Sequence, residues 1–218
     1  MLGAVATLIL LLPTLASATI VTAGASRIFG DILTATLTID DESQAGDLVI
    51  TLTLDPGALT GDLRSFYAHI ADESLLAGLS ISGANVTQSR FEANSVFNFG
   101  DGTFVPTIPT SCGATGCDFG FEIGTAGTSP DNFQTTTFVL SHLTEVLTVD
   151  ILADQVFALR VNSITSDGTR GVFTGFSKLA GVVTVIPEPS TAIMMMLGLA
   201  GLTVAGRDPS RKTVHPRH

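Results

Sequence analysis

Two runs of two-residue alternation constrain this chain more than any other feature. Residues 32–39 read Ile-Leu-Thr-Ala-Thr-Leu-Thr-Ile, and residues 48–54 read Leu-Val-Ile-Thr-Leu-Thr-Leu. A period of two places alternate side chains on opposite faces of an extended backbone, so each run predicts a strand with one buried and one solvated face. The polar segment Asp40-Asp41-Glu42-Ser43-Gln44-Ala45-Gly46-Asp47 lies between them. Alternating runs joined by a short polar loop predict a hairpin. Asp55-Pro56-Gly57 then ends the second run.

Further strands are expected at residues 65–70, 75–81, 95–99, 119–123, 135–140, 143–149, 157–164 and 178–185, punctuated by Gly, Asp, Asn and Ser. No segment carries an apolar repeat at helical spacing over three turns; residues 151–155 suggest a single helical turn. Thr and β-branched residues are frequent, and they favour strands. The expected fold is all-β: a single β-sandwich, jelly-roll-like or immunoglobulin-like. Phe97, Phe99, Phe119, Phe121, Phe138 and Phe157 read as core residues at period two. Neither an internal repeat nor a domain linker is visible before Val185.

Hydrophobic residues make up 45% of the 218 and charged residues 14%, so the chain can bury a core and is not a disordered acidic protein. The charge is uneven. Residues 19–186 hold 6 Lys/Arg against 18 Asp/Glu, a net of −12, while residues 207–218 hold 4 basic residues and one acid, a net of +3. An acidic body lacks the clustered Lys and Arg that phosphate contacts require, which argues against a nucleic-acid partner.

Both ends read as addresses rather than as fold. Residues 4–15 are apolar apart from Thr7, Pro13 and Thr14, and Ala16-Ser17-Ala18 supplies the small-x-small site that signal peptidase accepts. The run is too short for a spanning helix of ~20 residues, so residues 1–18 are read as a secretory signal peptide. At the other end, Pro187-Glu188-Pro189-Ser190-Thr191 precedes an uncharged stretch over 192–206 and a basic tail with Arg207, Arg211, Lys212 and Arg217. Prolines on both sides of Glu188 favour an extended segment that an enzyme can grip. A helix over 191–206 would measure roughly 24 Å at 1.5 Å per residue, a weak span for a ~30 Å hydrocarbon layer. Positive charge beyond it holds that end in the cytoplasm.

This three-part tail resembles the PEP-CTERM sorting signal of bacterial exported proteins. The resemblance covers the C-terminal 186–218 and implies a single membrane-spanning sorting helix, with Pro187, Glu188, Pro189 and Ser190 as the motif presented to exosortase. It also implies a route: export, transient anchoring in the inner membrane, then cleavage and transfer to the cell surface or extracellular matrix. Signal peptidase and exosortase would be the processing partners, and exopolysaccharide the associated material. The domain plan is therefore signal peptide 1–18, β-domain 19–185 and sorting signal 186–218.

The body offers few chemical motifs. Cys112 and Cys117 are the only cysteines, in a loop with Gly113 and Gly116. Export to an oxidising compartment makes a disulfide the leading reading; a metal site would need further ligands at suitable spacing. Asp40, Asp41, Glu42 and Asp47 crowd one loop and are weak calcium candidates, the alternative being a solvated hairpin tip. His69 and His142 fall in expected strands, where either could pair with an acid. Asn85-Val86-Thr87 matches a glycosylation acceptor pattern of little weight in a bacterial chain. Nucleophile elbows, zinc-protease helices and phosphate loops are absent from the body. Eighteen acids leave room for a glycan hydrolase with paired carboxylates. One Tyr and no Trp speak against it and against a sugar-stacking lectin. The expectation is a non-enzymatic structural or binding module without a cofactor; the alternatives are that hydrolase and a calcium-dependent adhesin-like binder.

Overall fold

The computed structural model describes residues 20–100, 102–106, 112–125, 131–166 and 175–185. The expected signal peptide and sorting segment lie outside these residues. The chain divides between Val185 and Ile186, and the described strands all belong to the first unit.

Ten strands form it: β1 (Ile20–Gly30), β2 (Thr34–Asp40), β3 (Leu48–Leu54), β4 (Thr60–Ala68), β5 (Leu79–Ser82), β6 (Val86–Val96), β7 (Cys117–Ile123), β8 (Thr135–His142), β9 (Val156–Thr165) and β10 (Gly175–Val182). Two short 3-10 helices, Glu73–Gly78 and Val149–Leu152, lie between described strands. The fold is all-β, as the alternation requires. Its architecture differs from the expected sandwich. All ten strands belong to one antiparallel sheet, in the order β5-β8-β3-β2-β1-β10-β9-β4-β7-β6.

That sheet coils until it nearly closes. Phe138 on β8 and Phe121 on β7 have ring centroids 4.3 Å apart, although six strands separate β8 from β7 in the hydrogen-bonded order. Asn85 Nδ2 donates to Thr136 Oγ1 at 3.3 Å, linking the start of the last strand to the second. Alternation specifies which side chains face inward; it carries no information on which strands hydrogen-bond, so two stacked sheets and one coiled sheet share the same pattern. Bulges supply the curvature. The register shifts between Arg27 and Phe29, between Gly175 and Ser177, and twice along β4, and each extra residue bends and twists its strand.

The predicted hairpin is present, with Leu37 opposite Leu52 and Ile39 opposite Ile50. Inward residues Leu37, Ile39, Leu48, Ile50 and Leu52 are fully buried. Their outward neighbours include rows of threonine, with Thr51 Oγ1 and Thr137 Oγ1 hydrogen-bonded at 3.0 Å across β3 and β8. Phe66 is the hub of the interior, with Phe119, Phe121, Phe138 and Phe157 at ring centroid distances of 5.4 to 6.1 Å. Phe119, Phe121, Phe138 and Phe157 are buried as expected, while Phe97 and Phe99 pack half-buried on a second cluster with Tyr67, Val96, Val105 and the two cysteines.

Several boundaries move. Strand β1 was not anticipated, because its buried positions Val21, Ala23 and Ala25 alternate through small residues. Residues 75–81 divide between a 3-10 turn and β5, and 143–149 form turns and loop rather than a strand. The run at 95–99 contains only the end of β6, a long polar edge strand whose exposed Gln88, Arg90 and Glu92 blunt further pairing. The helical turn expected at 151–155 occurs slightly earlier, as Val149–Leu152.

Candidate functional site

Cys112 and Cys117 form a disulfide, with Cα atoms 4.5 Å apart. Gly116 N donates to Cys112 O at 3.1 Å inside the closed loop. The loop is docked through His69, whose Nδ1 lies 3.0 Å from Asp118 Oδ2 and which also makes a backbone hydrogen bond with Cys112. Asp118 further accepts from Ile70 N at 2.9 Å and from Asn94 N at 2.8 Å. Burial alone would raise the Asp118 pKa, but its hydrogen bonds from His69, Ile70 and Asn94 outweigh that and lower it. The hydrogen bond to Asp118 raises the His69 pKa. Asp118 thus accepts three hydrogen bonds from the fold, from His69, Ile70 and Asn94.

The four acids of the hairpin loop do not converge. Asp40 accepts from Glu42 N at 2.7 Å, from Ser43 N at 3.0 Å and from Ser43 Oγ, so its carboxylate shapes the turn. Asp47 accepts from the Gln44 side chain, and Asp41 Oδ2 accepts from Val149 N at 3.4 Å. Among the described residues no group of three or more His, Cys, Asp or Glu is arranged to hold a metal ion. His142 Nδ1 accepts from Thr144 N at 3.2 Å and Glu145 N at 2.9 Å, which caps a turn.

A buried charge cluster was not foreseen. Arg64, fully buried on β4, donates Nη1 to Ile123 O at 2.9 Å and Nη2 to Glu122 Oε1 at 3.2 Å, with Asp131 Oδ2 at 3.6 Å. Its Nε has no partner among the described residues. Asp62 accepts from Phe133 N and Asp131 N at 2.9 and 3.1 Å, and burial raises its pKa. These acids are enclosed rather than set across an open cleft. Three surface cavities bordered by described residues carry one carboxylate each, Asp55 in two of them and Glu145 in the third.

The outer face of β1, β10 and β9 carries a different chemistry. The bulge between Arg27 and Phe29 turns Phe29 to lie opposite Lys178, and Lys178 in turn lies opposite Arg160. Gly30 makes this approach possible: its φ is +92°, and a Cβ there would sit 2.1 Å from Phe176 O. The rings of Phe29 and Phe176 stack at 5.7 Å with 24° between planes. Phe104 reaches over from the loop before Val105. That loop is tied down by Thr103 O, which accepts from Ser65 Oγ at 2.8 Å and Tyr67 Oη at 3.0 Å, and by Gly102 O, which accepts from Asn162 Nδ2 at 2.9 Å. Burial pushes the Tyr67 phenol up to about 12, so it stays a neutral donor.

Both cations are held by ring faces. Lys178 Nζ lies 4.2 Å from the Phe104 centroid, 5.6 Å from Phe29 and 5.9 Å from Phe176. The Arg160 guanidinium lies 4.1 Å over Phe176, with Nε donating to Asn162 Oδ1 at 2.6 Å. Among the described residues neither cation pairs with a carboxylate. Phe29 is 57% exposed and Phe104 40%, while burial and the neighbouring Arg160 charge lower the Lys178 pKa. Sequence reading missed this face because its residues come from four separated segments, three joined by strand pairing and the fourth, with Phe104, from a loop.

A family model of the PEP-CTERM protein-sorting motif matches residues 185–212. The chain carries a PEP-CTERM sorting signal. That motif indicates an exported protein of the kind sorted by exosortase. The match includes Pro187, Glu188, Pro189 and Ser190 and overlaps the described residues only at Val185, beyond the end of β10. No curated protein matches the chain, and no solved structure does. Among the described residues no helix is long and apolar enough to cross a membrane.

Proposed function

We propose that this is a surface or extracellular-matrix protein whose β-domain is a non-enzymatic structural or binding module associated with exopolysaccharide. The PEP-CTERM signal over 185–212 carries the reading, since it directs the chain to the outside of the cell. On this route a secretory leader at 1–18 starts export. The segment 186–218 then holds the precursor in the inner membrane until exosortase acts at Pro187–Pro189. The β-domain supports a module that works through its surface. Its interior is filled by Phe66 and the four rings around it, and the buried acids Glu122, Asp62 and Asp118 each hold the fold through hydrogen bonds.

Co-sedimentation of the full chain, in detergent, with the producing organism's own exopolysaccharide tests the binding role: saturable binding is expected, and its absence would overturn it. Sorting is tested separately in cells. Glu188→Ala is expected to accumulate precursor in the inner membrane, and unchanged release would remove exosortase from the route.

A further inference from the structure

We propose that Lys178 and Arg160, framed by Phe29, Phe104 and Phe176, form a binding site for the acidic sugar units of an anionic polysaccharide. This deepens the proposed matrix role and rests on it.

Lys178 is the central observation. The residue is only 8% exposed, its ammonium rests against the rings of Phe104, Phe29 and Phe176, and among the described residues it pairs with no carboxylate. An ammonium has three donors and no acceptor of its own. Ring faces stabilise the charge but do not accept hydrogen bonds as an oxygen does. Arg160 stands directly across the strand pair, and like charges in that position repel. Such an arrangement stores two cations side by side, half desolvated, on a domain with three times as many acids as bases. None of the domain's own described carboxylates is used to quench them. An external anion completes both donor sets at once, and the low local dielectric strengthens that contact.

The rings define the rest of the ligand. Phe29 and Phe176 stack within 24° of parallel at 5.7 Å, and Phe29 and Phe104 are substantially exposed. Exposed ring surface on Phe29 and Phe104 beside a pair of cations fits a molecule with a flat C–H face and a carboxylate at its edge. A uronic acid residue in a pyranose ring has that form. The sorted location supplies the encounter, because an exported surface protein meets polysaccharide before it meets intracellular anions.

The experiment measures binding of the full chain in detergent to three probes: polygalacturonate, the same polymer fully methyl-esterified, and polyglutamate. Lys178→Met, Arg160→Met and Phe104→Ala are compared with the parent, with thermal melts confirming that each is folded; Phe104 is a loop residue whose removal leaves the sheet intact. Expected is saturable binding to polygalacturonate that weakens with salt and falls at least about tenfold on esterification or on either cation substitution, the size of a lost charged hydrogen bond. Phe104→Ala is expected to weaken it by a smaller factor. Equal binding of the ester, or parent-like binding by Lys178→Met, would overturn the acidic-sugar site. Preference for polyglutamate would overturn it in favour of an acidic peptide. If all three probes fail while the organism's own exopolysaccharide still binds, this inference falls and the matrix role stands; if that polymer fails too, both fall.

Discussion

The Nδ1 of His69 lies 3.0 Å from Asp118 Oδ2, and this contact links the residue just after β4 to the start of β7 beside the disulfide. The His69 pKa is raised by the bond, so its contribution is full below the unfolded value of about 6.5 and is lost as pH rises through the raised folded value. The Asp118 pKa is lowered, so its contribution is present above about 3.9 and is lost as pH falls through the lowered value. The pair therefore stabilises most between about pH 4 and 6.5. The stability difference between the parent and His69→Gln should shrink from pH 6 to pH 8 in denaturant titrations. A constant difference would show that the proton linkage is absent. Asp118→Ala removes the acceptor of Ile70 N and Asn94 N as well, and should cost about 2–4 kcal/mol.

Arg64 is buried against Glu122, and removing only one partner strands the other charge. Arg64→Met should destabilise the domain by about 3–5 kcal/mol, and Arg64→Met with Glu122→Gln should recover part of that loss. Urea unfolding of both variants decides the point: a double variant no better than the single one would place the cost in packing of the side chain.

Closing six residues, Cys112 to Cys117, restricts the unfolded chain only modestly. Replacing both cysteines with serine should cost about 2 kcal/mol by the loop-entropy relation. Gly116→Ala should cost comparably or more for a different reason. Gly116 has φ +134°, and a Cβ there would lie 2.8 Å from the Ser95 carbonyl carbon and 2.9 Å from Val96 N, both backbone. Thermal melts with and without reductant separate the two effects, because only the glycine variant remains sensitive to reductant.

The acidic loop should behave as a turn. The melting temperature is expected to be unchanged by millimolar calcium or by chelator, and a calcium-dependent rise would restore the loop as a cation site. Asp40→Ala should lower the melting temperature slightly through loss of its hydrogen bonds to the turn, and equally with and without calcium.

Particular residues show how far the sequence could be read. Leu48–Leu54 was legible to the residue as β3 because packing and propensity agree there. β1 was not, because Ala23 and Ala25 are buried yet too small to dominate a hydrophobic pattern. Leu143 and Val146 suggested a strand, but they are 83% and 75% exposed in turns. The acids of residues 40–47 were recognised as a polar tip, whereas Arg64, deep in the core, gave no signal in one dimension.

By itself the sequence determined the all-β class, the inward set of the β2–β3 hairpin and the sorting signal around Pro187-Glu188-Pro189, because each depends on neighbours a few residues apart. The tertiary structure decided that ten strands make one coiled sheet. It also decided that a single bulge after Arg27 carries Phe29 across to Lys178, and that Phe104, Arg160 and Phe176 gather there. Those relations depend on strand partners and on one-residue shifts in register, which local periodicity does not encode.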